Sequence, residues 1–225
     1  MKNKAPRLTT FVAKLLDVSL LGSSLVSMFA NQAAFDRPES RATSAGIDLS
    51  LAQAIVDPQG RVLAHARTGG MMNSQRYTLL TGTRLFRFGR SNQLPQEVAR
   101  GGWWLEVREF ERLVSFANAH GIHLGLAMRL LCLVPPEWSD ATQLVRARVA
   151  SSLLAWRGLA NTVVTPIAGG LGTLRLPHTN EISERRLHQL YIPGLAEQSP
   201  IEPAIAIERV FALDPNTSLE GFLYL

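Results

Sequence analysis

The spacing of apolar and polar positions changes several times along the chain, and each change predicts an element. Near the start, Leu8, Phe11, Leu15, Val18, Leu25 and Phe29 recur at helical intervals, which predicts an amphipathic helix from about Leu8 to Phe29. The run from Val18 to Phe35 lacks charges, follows Lys2, Lys4 and Arg7, and contains the small-residue segment Ala30-Asn31-Gln32-Ala33, so a signal-like segment is the competing reading. Lys14 and Asp17 interrupt its apolar part and favour the helix. The polar stretch DRPESRATSA, Asp36 to Ala45, reads as a linker. The expected organisation is an N-terminal helix or signal-like segment over 1–35, a linker over 36–45 and a single α+β domain over 46–225.

In the body the period shortens. Leu49 to Val56 and Arg61 to Ala66 flank Asp57-Pro58-Gln59-Gly60, which predicts a β-hairpin. Tyr77 to Phe88 contains the next strand. Val107, Phe110, Leu113, Val114 and Ala117 then lie on one helical face over Glu106 to Ala119, with Gly121 as the C-terminal cap. Ile122 to Val134 is mainly apolar and predicts a buried strand stopped by Pro135-Pro136. Ser139 or Asp140 caps a predicted second helix reaching Arg157. Strands are expected over Asn161–Ile167, Leu171–Leu176, Leu190–Ile192, Ala204–Leu213 and Leu219–Leu225. Two principal helices among many strands, without regular βαβ alternation, predict an α+β fold with mixed or antiparallel sheets and the N-terminal helix in addition.

Composition narrows the chemistry. The 225 residues carry 23 Lys and Arg against 18 Asp and Glu, a formal net charge of +5. Lys2, Lys4 and Lys14 are the only lysines, so the excess is arginine, whose planar fork suits phosphates and carboxylates. Cys132 is the only cysteine, which excludes an intrachain disulfide, and its apolar surroundings predict an inert thiol. The histidines His65, His120, His123, His178 and His188 show no ligand spacing, so no metal site is expected.

The densest chemistry lies between Gly82 and Trp104, GTRLFRFGRSNQLPQEVARGGWW. Arg84 and Arg87 stand among aromatics on a strand, and Gly101-Gly102 precede Trp103-Trp104. Alternation puts Arg84, Phe86 and Phe88 on one face and Leu85 and Arg87 on the other. The run Gly82 to Phe88 resembles the first strand of ADP-ribosyltransferase-like and related NAD glycohydrolase toxin domains. That resemblance implies that Arg87, with Arg84 as the alternative, contacts the phosphates of NAD, which would be bound as a substrate. It also implies that Trp103 and Trp104 help shape the nicotinamide pocket, where an aromatic face can stack on the ring and attract its positive charge. The family places a glutamate or glutamine near the scissile bond. His188 to Gly194 resembles a late strand and turn of that fold and nominates Gln189, with Glu202 and Glu208 as the acidic alternatives.

These residues leave three function classes open. The first is an effector or toxin that transfers ADP-ribose to a protein or nucleic-acid acceptor, or hydrolyses NAD, in the cytoplasm or after secretion. The second is a non-catalytic interaction protein joined to a larger assembly through the N-terminal helix. The third is a nucleic-acid binder with Arg76, Arg84, Arg87, Arg90 and Arg100 on phosphates and the tryptophans on bases.

Overall fold

The computed structural model describes residues 28–47, 49, 54–65, 69–136, 138–166, 173–176, 187–199 and 202–213. All but the last two residues of the predicted helix Leu8–Phe29, and all of the predicted strand Leu219–Leu225, lie outside them. Two short helices, α1 (Gln32–Phe35) and α2 (Pro38–Ser44), lead into the hairpin of β1 (Ala54–Val56) and β2 (Val62–His65). The main sheet contains β3 (Met71–Leu79), β4 (Arg84–Gly89), β5 (Trp103–Glu106), β6 (Gln143–Val149) and β7 (Leu153–Ala160). A second hairpin, β8 (Val163–Pro166) and β9 (Thr173–Leu176), precedes the last two sheet strands, β10 (His188–Tyr191) and β11 (Ile205–Ala212). The seven sheet strands lie in the order β11-β6-β4-β5-β10-β7-β3, every neighbouring pair antiparallel. The helices α3 (Pro95–Ala99), α4 (Val107–His120) and α5 (Leu124–Cys132) complete an α+β architecture, the class expected.

Each face of the sheet has its own core. Leu85, Trp104, Val145, Ala147 and Leu190 pack with Val98 and Ala99 of α3. Phe86, Leu105 and Leu144 pack under α4 and α5, where Phe86 stacks on Phe110 with centroids 4.0 Å apart. Helix α4 buries Phe110, Leu113, Val114 and Ala117, the face read from the sequence, and ends at Gly121 with φ +60°. Gly121 and Ile122 N–H groups donate back to Asn118 and Ala117, closing the last turn.

Three local expectations are corrected. The run Ile122–Val134 is a helix, α5, because His123 Nδ1 accepts from the Leu126 N–H and caps it. The buried positions Leu124, Ala127, Met128, Leu131 and Cys132 then follow the helical interval. The predicted helix from Ser139 to Arg157 is instead the β6–β7 hairpin. Ser139 and Asp140 do accept backbone N–H bonds, but from Ala141 and Thr142 two residues on, as turn makers rather than helix caps. Arg146 and Arg148, two residues apart, carry the strand period.

Asp36–Ala45 is the third. It contains α2 rather than an extended linker, and it lies against the sheet. Trp156 Nε1 donates to Ser40 Oγ at 2.8 Å, the Ser44 and Ser74 hydroxyls meet at 3.2 Å, and Phe35 stacks on Trp156. Just before it, Asn31 repairs the sheet. Pro193, following β10, has no N–H with which to continue pairing to β7. The Asn31 amide fills that place, donating to the Leu154 and Pro193 carbonyls and accepting from the Leu154 N–H, each at 2.9 Å.

A buried polar network anchors the start of α4. Glu106 accepts from Tyr77 Oη at 2.9 Å and Arg157 Nε at 3.1 Å, while Glu109 pairs with Arg112 and Arg157 and faces His188 Nδ1 at 3.4 Å. Burial first, and then the Arg157 charge, lower the His188 pKa from its ordinary 6.5 against the opposing pull of Glu109. A depressed histidine binds its proton more readily unfolded, so its contribution to stability is complete above about pH 6.5 and is lost as pH falls through the lower folded value. His188→Gln is expected to flatten that acid-side fall in the thermal midpoint; an unchanged slope would contradict this account. Asn31→Ala is expected to cost about 2–3 kcal/mol by strand Leu154 and Pro193 backbone groups in the interior. Urea unfolding measures it, and a loss within about 0.5 kcal/mol would assign Asn31 to an ordinary surface position.

Candidate functional site

The site begins at a discontinuity in the sheet. Strand β5 has four residues: Trp103 and Trp104 pair with Tyr191 and Leu190 of β10, whereas Leu105 and Glu106 pair with Phe86 and Leu85 of β4. Past Phe86, β4 continues alongside β6 but has no partner on the β5 side. Arg87 is the first residue beyond the last pair and occupies the resulting gap. Its Nη1 donates to the Trp103 carbonyl at 2.5 Å. A Cβ on Gly101 would overlap the guanidinium, so the absence of a side chain there makes the room.

Arg87 is electrostatically incomplete. Its Nε is buried without a hydrogen-bond partner, and among the described residues no carboxylate lies within ion-pairing distance. Burial pushes its pKa down to about 10, which still leaves it charged at neutral pH. A buried cation with one backbone acceptor is costly, and an anion bound beside it would offset that cost.

A cavity of about 190 Å³ adjoins the gap, lined by Arg87, Phe86, Phe88, Trp103, Trp104 and Gln189, by Met128, Cys132, Leu133 and Val134 at the end of α5, and by Gly70, Trp138, Ser139, Asn161 and Val163. The two tryptophans differ in role. Trp103 is half-buried and packs beside Tyr191 with centroids 5.1 Å apart. Trp104 is 2% exposed and its indole N–H donates to the Gly101 carbonyl at 2.7 Å, fixing the glycine turn from within the core. Gln189 is buried, and its Nε2 donates to the Cys132 carbonyl at 2.8 Å. Its Oε1 takes no hydrogen bond from the described residues and is available as an acceptor. The Cys132 thiol is pushed up to about 12, by burial and then by the Glu109 charge, as an inert thiol requires.

Four sequence-nominated residues, Arg87, Trp103, Trp104 and Gln189, thus line one cavity. Arg84, Glu202 and Glu208 do not. Glu208 sits at an irregularity in β11 and accepts from Arg84 Nε at 2.9 Å and Arg148 Nε at 2.5 Å, with Arg146 Nε at 3.2 Å. Burial alone would raise its carboxyl pKa, but the Arg148 and Arg84 bonds outweigh it and hold the pKa below the ordinary value. Glu202 is exposed just before β11. The arginines considered for a nucleic-acid groove are dispersed: Arg76 lies over the Phe35 ring, Arg84 bonds Glu208, and Arg100 donates to the Ala196 carbonyl. Sequence reading missed Trp138, because a lone tryptophan after two prolines carries no periodic signal. Among the described residues no group of three or more His, Cys, Asp and Glu converges, and no helix is long and apolar enough to cross a membrane.

No protein-family model matches the chain, and no curated protein matches it. Among solved structures it is similar to Tne2, solved in complex with Tni2, at 9% identity over 63% of this chain and 92% of that one, with a TM-score of 0.35. It is also similar to Rhs1-CT, solved with its cognate immunity protein RhsI1, at 11% identity over 68% of this chain and 89% of that one, with a TM-score of 0.36. At these values neither likeness bears on activity or partner.

If Arg87 is held for a ligand rather than for the fold, removing its charge relieves the empty protein. Arg87→Met is expected to raise stability by about 1–2 kcal/mol in urea unfolding, as for other replacements of buried charge by a flexible apolar chain. A loss of comparable size would make the arginine structural.

Proposed function

We propose that the protein is an NAD-consuming effector, of the ADP-ribosyltransferase or NAD glycohydrolase type, that cleaves the bond between nicotinamide and ribose. The observation that carries this reading is the buried Arg87 guanidinium without a counter-charge, opening onto an aromatic-walled cavity. Such a cation fits the pyrophosphate of a dinucleotide, and the Trp103 face fits the nicotinamide ring. The cavity volume of about 190 Å³ is below the ~300–1,000 Å³ usual for whole small-molecule ligands, so it suits one half of the dinucleotide.

In this reading the chemistry asks little of the protein beyond position and charge. The C1′–N bond breaks, nicotinamide leaves with the bonding pair, and an oxocarbenium-like ribose remains. Water adds to that centre and releases a proton, giving ADP-ribose; in transfer, an acceptor nucleophile takes the place of water. Arg87 holds the phosphates. Gln189 Oε1 accepts from a ribose hydroxyl and steadies the positive centre, while its Nε2 stays tied to the Cys132 carbonyl.

The test is nicotinamide release from NAD by the pure protein. Wild type is expected to release it, and Gln189→Ala to lower kcat about 100-fold, the usual scale for losing one charge-stabilising group. Tryptophan fluorescence is expected to respond to NAD with shallow salt dependence, since few phosphates are contacted. Failure to release nicotinamide, together with tight and steeply salt-sensitive binding of single-stranded oligonucleotides, would replace the NAD reading with the nucleic-acid one.

A further inference from the structure

Trp138 stands apart from the other residues around the cavity. It belongs to the connection between α5 and β6, and it is 42% exposed although it lines the cavity wall. Large indoles are normally buried to a greater extent. Its indole N–H finds no side-chain or carbonyl acceptor among the described residues, whereas its backbone N–H is bonded. The tip of its ring rests against Gly69, where a Cβ would stand 3.3 Å from Cη2.

Backbone bonds of the described residues flank Trp138 on both sides. Leu133 ends α5 in the left-handed region at φ 54°, Pro135-Pro136 restrict the next residues, and the Trp138 N–H donates to the Pro135 carbonyl at 3.1 Å. On the far side, Ser139 and Asp140 accept from Ala141 and Thr142, both at 3.1 Å. An aromatic surface whose backbone is already hydrogen-bonded loses less freedom when a ring stacks on it.

We infer that Trp138 is the platform for the second ring of the dinucleotide, the adenine, at the cavity mouth. This rests on the NAD reading above. The cavity accommodates one half of the ligand, Arg87 holds the phosphates at the gap, and the other half must then leave by the open side. Trp138 is the cavity-lining aromatic that presents the most surface there. Its assignment accounts for the exposure of a large apolar side chain that contributes little to the core.

Calorimetry with two ligands tests it. NAD carries the adenosine half; nicotinamide mononucleotide lacks it. Trp138→Ala is expected to weaken NAD binding about 10-fold, within the range for losing one aromatic–base stack, and to leave the mononucleotide affinity unchanged. Trp138→Phe is expected to restore most of the NAD affinity, and neither variant should move the thermal midpoint much. Unchanged NAD affinity, or equal weakening of both ligands, would overturn the assignment while leaving the NAD reading intact. Wild-type protein that binds neither ligand would overturn both.

Discussion

A charged guanidinium held in a gap of the sheet, without an opposing carboxylate, is the constraint on which the rest of the site depends. Arg87 reaches that position because β5 is too short to accompany β4 beyond Phe86. Gly101 leaves the space, and the Trp103 carbonyl supplies the single acceptor. Each of these features weakens the fold locally: a missing strand partner, a glycine and a buried charge. Their coincidence at one point is the observation on which the proposed binding role rests.

The surrounding structure compensates by holding the strands around the gap from outside it. Asn31 joins β7 to the turn after β10 with a buried amide, bridging a place where Pro193 cannot pair. Glu106 and Glu109 gather Tyr77, Arg157, Arg112 and His188 where β5 passes into α4. Glu208 ties together Arg84, Arg146 and Arg148 across β4, β6 and β11. In all three clusters the carboxylates or the amide are paired within the fold, which ties neighbouring elements together. Arg87 is the contrast: the cation among these that lacks a carboxylate.

Much of this was legible in the sequence, and what was not has a physical cause. Helix α4 and its glycine cap follow from spacing alone, as does the first hairpin. The apolar run at Ile122–Val134 is broken only by His123 and Arg129, too few polar positions to mark its period, and recognising His123 as a cap is what separates helix from strand. Ser139 and Asp140 bond backbone N–H groups equally well in turns and at helix starts, and the alternation of Arg146 and Arg148 was the better signal. Asp36–Ala45 is polar because Ser40 and Ser44 spend their hydroxyls on Trp156 and Ser74 at the sheet surface, a pairing no local reading reveals. For the site, Arg87, Trp103 and Gln189 could be nominated by residue type and context. Glu208 could not be set aside without seeing the three arginines around it, and Trp138 required the cavity itself.

The central claim is that Arg87 waits for an anionic group that completes its coordination. The most direct measurement is the ¹H–¹⁵N spectrum of the arginine side chains, with the Arg87 Nε–H signal assigned by its loss in Arg87→Met, during titration with ADP-ribose at neutral pH. Binding of the pyrophosphate predicts a saturable downfield shift of that signal, larger than for any other arginine. An Arg87 signal that stays fixed while ADP-ribose saturates the protein would contradict the account.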